Sequence, residues 1–203
     1  MPPDKILPFG IPINKKFTKN MSKSEARKEL GIADKQTLLL MAGGTGFGNL
    51  AALIRQLDDL DLDFQILAVC GSNKRLKSRL SKLSVKRNLH VYGFVNNVDV
   101  MMDAAECICT KPGGLTTSEA LAKGLMIMIP DAIPGQEERN LEFLINNGLA
   151  MRITKTFGID ECIYQFFSNS ERSSSANYML KHIAKPYAAR DLGDFIIKKY
   201  GNS

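Results

Sequence analysis

The sequence holds few of the residues that most often do chemistry. It has two histidines, His90 and His182, and four cysteines, at 70, 107, 109 and 162. Neither histidine falls in a glycine-bearing loop, so no imidazole general base is expected there. Cys107 and Cys109 lie two apart in a strand-like run, which puts both on one face and excludes the CxxC spacing of a zinc knuckle. Buried, reduced thiols of a cytoplasmic protein are what the four cysteines predict. Long apolar runs are missing as well. The longest, LLLMA (38–42) and LMIMIP (125–130), fall far short of the roughly 20 residues that a membrane-spanning helix needs. The first residues carry neither an arginine-rich nor an apolar leader, so no secretory or organelle signal is expected, and the chain is expected to be soluble.

Acidic residues are scarce where basic ones are dense. The formal net charge is +6, and its surplus lies in two stretches. One holds Lys15, Lys16, Lys19, Lys23, Arg27 and Lys28; the other holds Lys74, Arg75, Lys77, Arg79, Lys82, Lys86 and Arg87 with no acid among them. Leu76, Leu80 and Leu83 mark an apolar stripe through the second stretch, which predicts one helix with its bases outward. A solvated face, an anionic membrane surface and nucleic acid all fit such a face. No aromatic residue interleaves the bases, which weighs against nucleic acid.

What is present is a regular alternation. TLLLMA (37–42), FQILAVC (64–70), LHVYGFV (89–95), ECICT (106–110), LMIMI (125–129) and LAMRI (149–153) are short apolar runs suited to buried strands. The segments between them carry helical spacing, as in Leu50, Leu53, Ile54 and Leu57. Strands alternating with helices predict an α/β fold: a Rossmann-like, doubly wound parallel sheet of about six strands with helices on both faces. The 203 residues suit a single domain: a leading segment and first helix over 1–36, the core over 37–153 and C-terminal helices over 154–203. SNSERSSSAN (168–177) is expected to interrupt those helices, and Pro186 to start another.

Ligands of such sheets bind outside the carboxyl ends of the strands, on the loops leading into helices. In the first loop, Gly43, Gly44, Thr45 and Gly46 let backbone amides approach a phosphate. The loop has no Lys-Ser/Thr after Gly48 and no third glycine of GxGxxG at Asn49. The next strand ends in Cys70-Gly71-Ser72-Asn73 with no acid for a ribose. Both a P-loop and a nicotinamide-dinucleotide site therefore lose their support. A second such turn is KPGGLTTSEA (111–120), where Gly113 and Gly114 permit positive φ and close approach and Thr116 is placed to cap a helix. Thr116-Thr117-Ser118-Glu119 also fits a capping box, in which Glu119 only reaches back to a backbone amide. Two glycine loops at one sheet edge suit a diphosphate. In PGQEERN (134–140), Gln136 and Asn140 share a helix face, and their amides match the donors and acceptors of sugar hydroxyls.

Taken in order, GIPI (10–13), the GGTG loop, CGSNKRL, GFVNNV, TKPGGLTTSEAL and PGQEERN resemble the C-terminal half of the diacylglycerol glycosyltransferases. That family holds the monogalactosyldiacylglycerol synthases and the processive glucosyldiacylglycerol synthases, and is similar to the lipid II N-acetylglucosaminyltransferase. The match covers roughly residues 8 to 152. The resemblance implies one half of a GT-B enzyme that transfers a hexose from a UDP-sugar to a membrane lipid, inverting and independent of metal or other cofactor. It implies that Glu119 binds the ribose and that Gly113, Gly114 and Thr116, with Gly43 to Gly46, hold the diphosphate. It places uracil at the backbone of Phe94 and Val95, and the sugar at Gln136, Glu137 and Asn140. Family members carry an N-terminal acceptor domain, with the usual catalytic base, before the GIPI segment, which here begins at residue 10. Without that half, or a partner subunit supplying it, the chain is expected to be inactive; with it, to sit in the cytoplasm at the membrane surface. A UDP-N-acetylglucosamine 2-epimerase-like half and a basic nucleic-acid-binding module are the alternatives.

Overall fold

The computed structural model describes residues 5–42 and 49–201. Each of the six apolar runs contains a strand: β1 (Thr37–Met41), β2 (Gln65–Val69), β3 (Leu89–Tyr92), β4 (Cys107–Cys109), β5 (Met126–Ile129) and β6 (Ala150–Arg152). They form one sheet in the order β3-β2-β1-β4-β5-β6, parallel throughout. The order reverses direction between β1 and β4, which is the switch point where doubly wound sheets open a crevice.

The strands read as unbroken apolar runs because both faces are covered. Leu38, Leu40, Ile66, Ala68, Cys107, Cys109, Met126 and Met128 form one face. They pack on α2 (Leu50–Asp58), α3 (Lys74–Leu80) and α7 (Ile159–Ser168) through Ile54, Leu57, Leu80, Cys162 and Phe166. Leu39, Leu67, Ile108 and Ile127 stand in register on the other face. That side is closed by α4 (Val98–Ala104), α5 (Gly114–Ala122), α6 (Gln136–Asn146) and α8 (Ser170–Ile183). α1 (Lys23–Leu30) opens with a Ser22–Glu25 capping box and lies against α4. α9 (Ala188–Tyr200) closes the described chain with only Ala188 buried.

Two sequence expectations are corrected here. SNSERSSSAN does not interrupt the helices: only Asn169 lies outside them, and its side chain caps α8 by accepting from the Arg172 amide. The basic stretch is not one helix through residue 87. α3 ends at Leu80, and Leu83 follows in a turn closed on the Leu80 carbonyl. Nor is the stretch without an acid in space, since Asp58 accepts from the amides of Lys86 and Arg87 at 2.9 and 3.0 Å.

Arg87 is not part of any outer basic face. Its guanidinium lies 3.8 Å over the Phe64 ring and donates to the carbonyls of Leu57 and Leu60 at 2.8 Å and of Leu62 at 2.7 Å. It thereby adds charged donors to the carbonyls at the end of α2 and in the loop into β2, among them that of Leu57, which also accepts from the Leu60 amide at 3.3 Å. Arg87→Ala is expected to lower unfolding free energy by about 2–3 kcal/mol, the scale of charge-assisted hydrogen bonds lost together with their packing. Lys86→Ala should stay within about 0.5 kcal/mol. Urea unfolding followed by far-UV circular dichroism checks both, and equal effects would contradict the assignment.

Candidate functional site

The crevice at the switch point is bounded by the loop from β4 into α5, whose local geometry departs from the sequence expectation. α5 begins at Gly114 with Gly113 as its N-cap, and no side chain caps it. Thr116 is therefore the third helical residue rather than a cap, and the capping box proposed from Thr116 to Glu119 does not form. Thr117 turns its hydroxyl back onto the Gly113 and Gly114 carbonyls at 2.9 and 3.1 Å. The amides of Gly114, Leu115 and Thr116 thus keep no intrahelical acceptor, and the positive end of the helix is left open.

The two glycines are small for different reasons, and neither is needed for positive φ. Gly113 has φ −68° and ψ 140°, a conformation open to any residue. Among the described residues a Cβ on Gly113 would meet nothing within 4 Å, so they leave space in front of the helix. A Cβ on Gly114 would stand 2.9 Å from Ile11 Cδ1 and 4.0 Å from Gln136 Nε2. The GIPI segment is thus packed directly on the first residue of α5, and Gln136 approaches the same point from α6.

Glu119 lies one turn further along α5. With no box to close, its carboxylate accepts no hydrogen bond among the described residues. Burial pushes its pKa up, the nearby Lys16 ammonium offsets part of that rise, and Asp99 adds to it. Lys16 belongs to the 3-10 turn Lys15–Thr18 that packs on α5. Its ammonium is held by Asp99 at 3.0 Å and by the Asn96 carbonyl at 2.6 Å. In the sequence Lys16 stands in a basic cluster, and its place beside Glu119 depends on a long-range contact.

The remaining candidates divide. Asn140 donates its amide nitrogen to the Pro112 carbonyl at 2.8 Å, joining α6 to the KPGG turn. Glu137 accepts from the Ile133 amide at 2.9 Å, so one carboxylate oxygen serves the loop that leads into α6. That loop turns at Gly135, where φ +106° and ψ −112° restrict the position to glycine. Phe94, 76% exposed, and the partly buried Val95 follow β3 at the carboxyl edge. Gly43, Gly44, Thr45 and Gly46 lie outside the described residues. Asn49, which follows them, caps α2 and also accepts from Arg79 at 2.9 Å, so one base of α3 reaches the base of that loop.

Neither histidine belongs to the crevice. His90 is in β3 with its Nε2 buried and unpartnered, and burial lowers its pKa; His182 is near the end of α8. Among the described residues no group of three His, Cys, Asp or Glu side chains is arranged to hold a metal ion. All four cysteines are free and buried, and no helix of the described residues is long and apolar enough to cross a membrane.

Comparison with known proteins places these features. Residues 22–173 match the family described as "Glycosyl transferases group 1". The chain is 35% identical to a monogalactosyldiacylglycerol synthase of Spinacia oleracea, over 97% of this chain and 40% of that protein. It is 31% identical to a processive diacylglycerol beta-glucosyltransferase of Bacillus pumilus, over 97% of this chain and 52% of that protein. The chain therefore spans about two fifths to one half of these relatives. Its backbone also superposes on Anabaena HepE solved with UDP-glucose, with a TM-score of 0.63 at 15% identity, over 91% of this chain and 56% of that one.

Gly113 offers a clean test of whether the open space is a seat. Gly113→Ala should leave stability within about 1 kcal/mol, because the backbone conformation suits alanine and the Cβ meets no atom. The same change should weaken binding of a nucleoside diphosphate at least tenfold, measured by calorimetry. An unaltered affinity would mean that the space in front of α5 is simply solvent.

Proposed function

The chain belongs to the glycosyl transferases of group 1, and on that premise we propose that it is the donor half of a hexosyltransferase, seating a UDP-sugar in the β1/β4 crevice. The observation that carries the reading is the uncapped start of α5, with space before Gly113 among the described residues and the half-buried Glu119 carboxylate one turn along. A diphosphate fits the first and a ribose diol the second. The structures of relatives' folds with UDP-sugars, such as HepE with UDP-glucose, support the ligand class. In this reading Gly113, Gly114 and Thr116 meet the diphosphate together with Gly43, Gly44, Thr45 and Gly46. The backbone at Phe94 and Val95 meets uracil, and Gln136, Glu137 and Asn140 meet the hexose.

The acceptor is a membrane lipid such as diacylglycerol, the class named for the relatives. Its hydroxyl attacks the anomeric carbon opposite the departing UDP, which inverts the configuration. Charge then builds on the diphosphate, where the amides and dipole of α5 are already aimed, and no cofactor or metal is required by this reading. The base that takes the hydroxyl proton is supplied by an N-terminal half, in cis or as a partner subunit. The protein works in the cytoplasm at the membrane surface, with Lys74, Arg75, Lys82 and Lys86 as the bases available to anionic headgroups. The family match favours a transferase over a 2-epimerase, and no specific observation favours nucleic acid.

Calorimetry with UDP, UDP-glucose and UDP-galactose tests the donor assignment, and Glu119 gives it a pH signature. Burial raises the pKa of Glu119, so the proton is retained to higher pH than on an ordinary glutamate. Ribose hydroxyls donate to the ionised form. UDP affinity should accordingly fall as pH drops through this raised range, and Glu119→Gln should flatten that slope. Glu119→Ala should cost about 1–3 kcal/mol of binding at neutral pH. A slope unchanged in Glu119→Gln would remove Glu119 from the site.

Activity divides differently from binding. Purified on its own, the 203-residue chain should bind donor and transfer no sugar to diacylglycerol in vesicles. Alignment of acceptor and base contributes up to about 7–11 kcal/mol, and neither is furnished by the crevice residues. Lipid glycosylation by this chain above a Glu119→Ala control would show that the base lies within it.

A further inference from the structure

The two nucleoside positions of the crevice lie on separate elements. The backbone at Phe94 and Val95 belongs to the loop from β3 into α4, and Glu119 belongs to α5. Beside both stands the 3-10 turn Lys15–Thr18, whose own place is well fixed. Asn14 caps it by accepting from the Lys16 amide at 3.0 Å, and the buried Phe17 anchors it in the core under α4 and α5.

Lys16 is the residue of this turn that reaches across. Its ammonium donates to the Asn96 carbonyl at 2.6 Å, meets the Asp99 carboxylate at 3.0 Å and stands close enough to Glu119 to favour its ionised form. Among the described residues, the bond to Asn96 is the hydrogen bond that ties residues 93–97 to another segment. Asn97, the N-cap of α4, adds no side-chain cap. The loop is therefore pinned by a lysine 80 residues earlier in the chain.

Neither stability nor a helix dipole accounts for that lysine. With side chains 38% and 20% exposed, the Lys16–Asp99 pair is of the kind that adds little free energy. A cation is also disfavoured near a helix N-terminus, where Asp99 alone would serve α4. What the ammonium contributes is a fixed spacing, since one side chain joins the loop carrying Phe94 and Val95 to the carboxylate of α5.

We propose that Lys16 is the positioning residue of the nucleoside subsite, holding the Asn96 corner in step with Glu119 so that base and ribose are bound as one unit. The proposal rests on the donor reading for its ligand. In this role Lys16 acts through the Asn96 carbonyl and Glu119 and needs no contact with the diphosphate. Uracil and cytosine differ in the donors and acceptors of their edges, so a loosened loop loses base preference as well as affinity.

Lys16→Met keeps the reach of the side chain and removes its charge, while Lys16→Arg keeps the charge. In the unliganded protein, Lys16→Met should raise the pKa of Glu119, because the ammonium that favours the carboxylate is gone. Asp99, the other charged group acting on Glu119 among the described residues, pushes the same way. NMR titration of the Glu119 carboxyl carbon reads this shift, and amide exchange over residues 93–97 should quicken in the same variant. By calorimetry, Lys16→Met should bind UDP about tenfold more weakly, the scale of one charge-assisted hydrogen bond, and should discriminate less between UDP and CDP. Pyrophosphate affinity should not change, and Lys16→Arg should restore the Glu119 pKa, the slow exchange and the base preference. Failure of the unaltered chain to bind UDP would overturn the donor reading and this proposal together. UDP binding by the unaltered chain, matched by Lys16→Met in affinity and base preference, would overturn this proposal alone. So would a Glu119 pKa and a loop exchange indifferent to Lys16→Met. A pyrophosphate loss equal to that of UDP would make Lys16 a phosphate ligand instead.

Discussion

The Lys123–Asp103 pair holds the parts of the crevice in one frame. Lys123 sits at the C-cap of α5, and its ammonium meets Asp103 of α4 at 2.6 Å with side chains 1% and 7% exposed. The same ammonium donates to the Lys19 carbonyl, and Asp103 accepts from the Met21 backbone. Two helices and the leading segment therefore converge on one buried ion pair. Burial still raises the pKa of Asp103 despite its partner, so desolvation is not fully offset. A buried pair of this kind adds little net stability over an apolar replacement, but loss of one member is costly. Its effect is positional: with the far end of α5 fixed, the near end faces the crevice and Lys16 is carried to the side of Glu119.

That arrangement explains why α5 can be left uncapped. A glycine N-cap gives up only a few tenths of a kcal/mol against Ser, Thr, Asn or Asp, and the Thr117 hydroxyl donates to carbonyls of the first turn without capping its amides. The first amides of α5 are left without a side-chain cap. Gly114 shows the complementary economy, since its missing side chain admits Ile11 and not a ligand. Asn140 then ties α6 to the same turn through Pro112. Three separate segments thus meet within the few residues that lead from β4 into α5.

The fold was legible because a parallel sheet buried on both faces writes its strands as continuous apolar runs, and all six were visible as such. What local pattern could not carry was the end of a helix or the destination of a long side chain. Leu76, Leu80 and Leu83 keep helical spacing through a chain that has already left the helix, and Arg87, counted among surface bases, caps carbonyls of α2. The same limit applied at the crevice. KPGG marked the loop from β4 into α5, but Thr116 looked like a cap because nothing in the order of residues distinguishes the N-cap from the third helical position. Lys16 beside Glu119, Asn140 against Pro112 and Arg79 on Asn49 are contacts between segments far apart in sequence, and no periodicity announces them.

The buried thiols of the sheet have a use that their inertness creates. Cys107 and Cys109 of β4 and Cys162 of α7 lie in one core, and burial raises all three thiols, that of Cys162 to about 12. Since only the thiolate attacks an alkylating reagent, these positions are silent for as long as the sheet and α7 stay together. Their modification rate is then a clock for the opening of the central sheet. Slowing of that clock by an added nucleotide would report, without any label, how firmly a ligand at the sheet's edge fastens its centre.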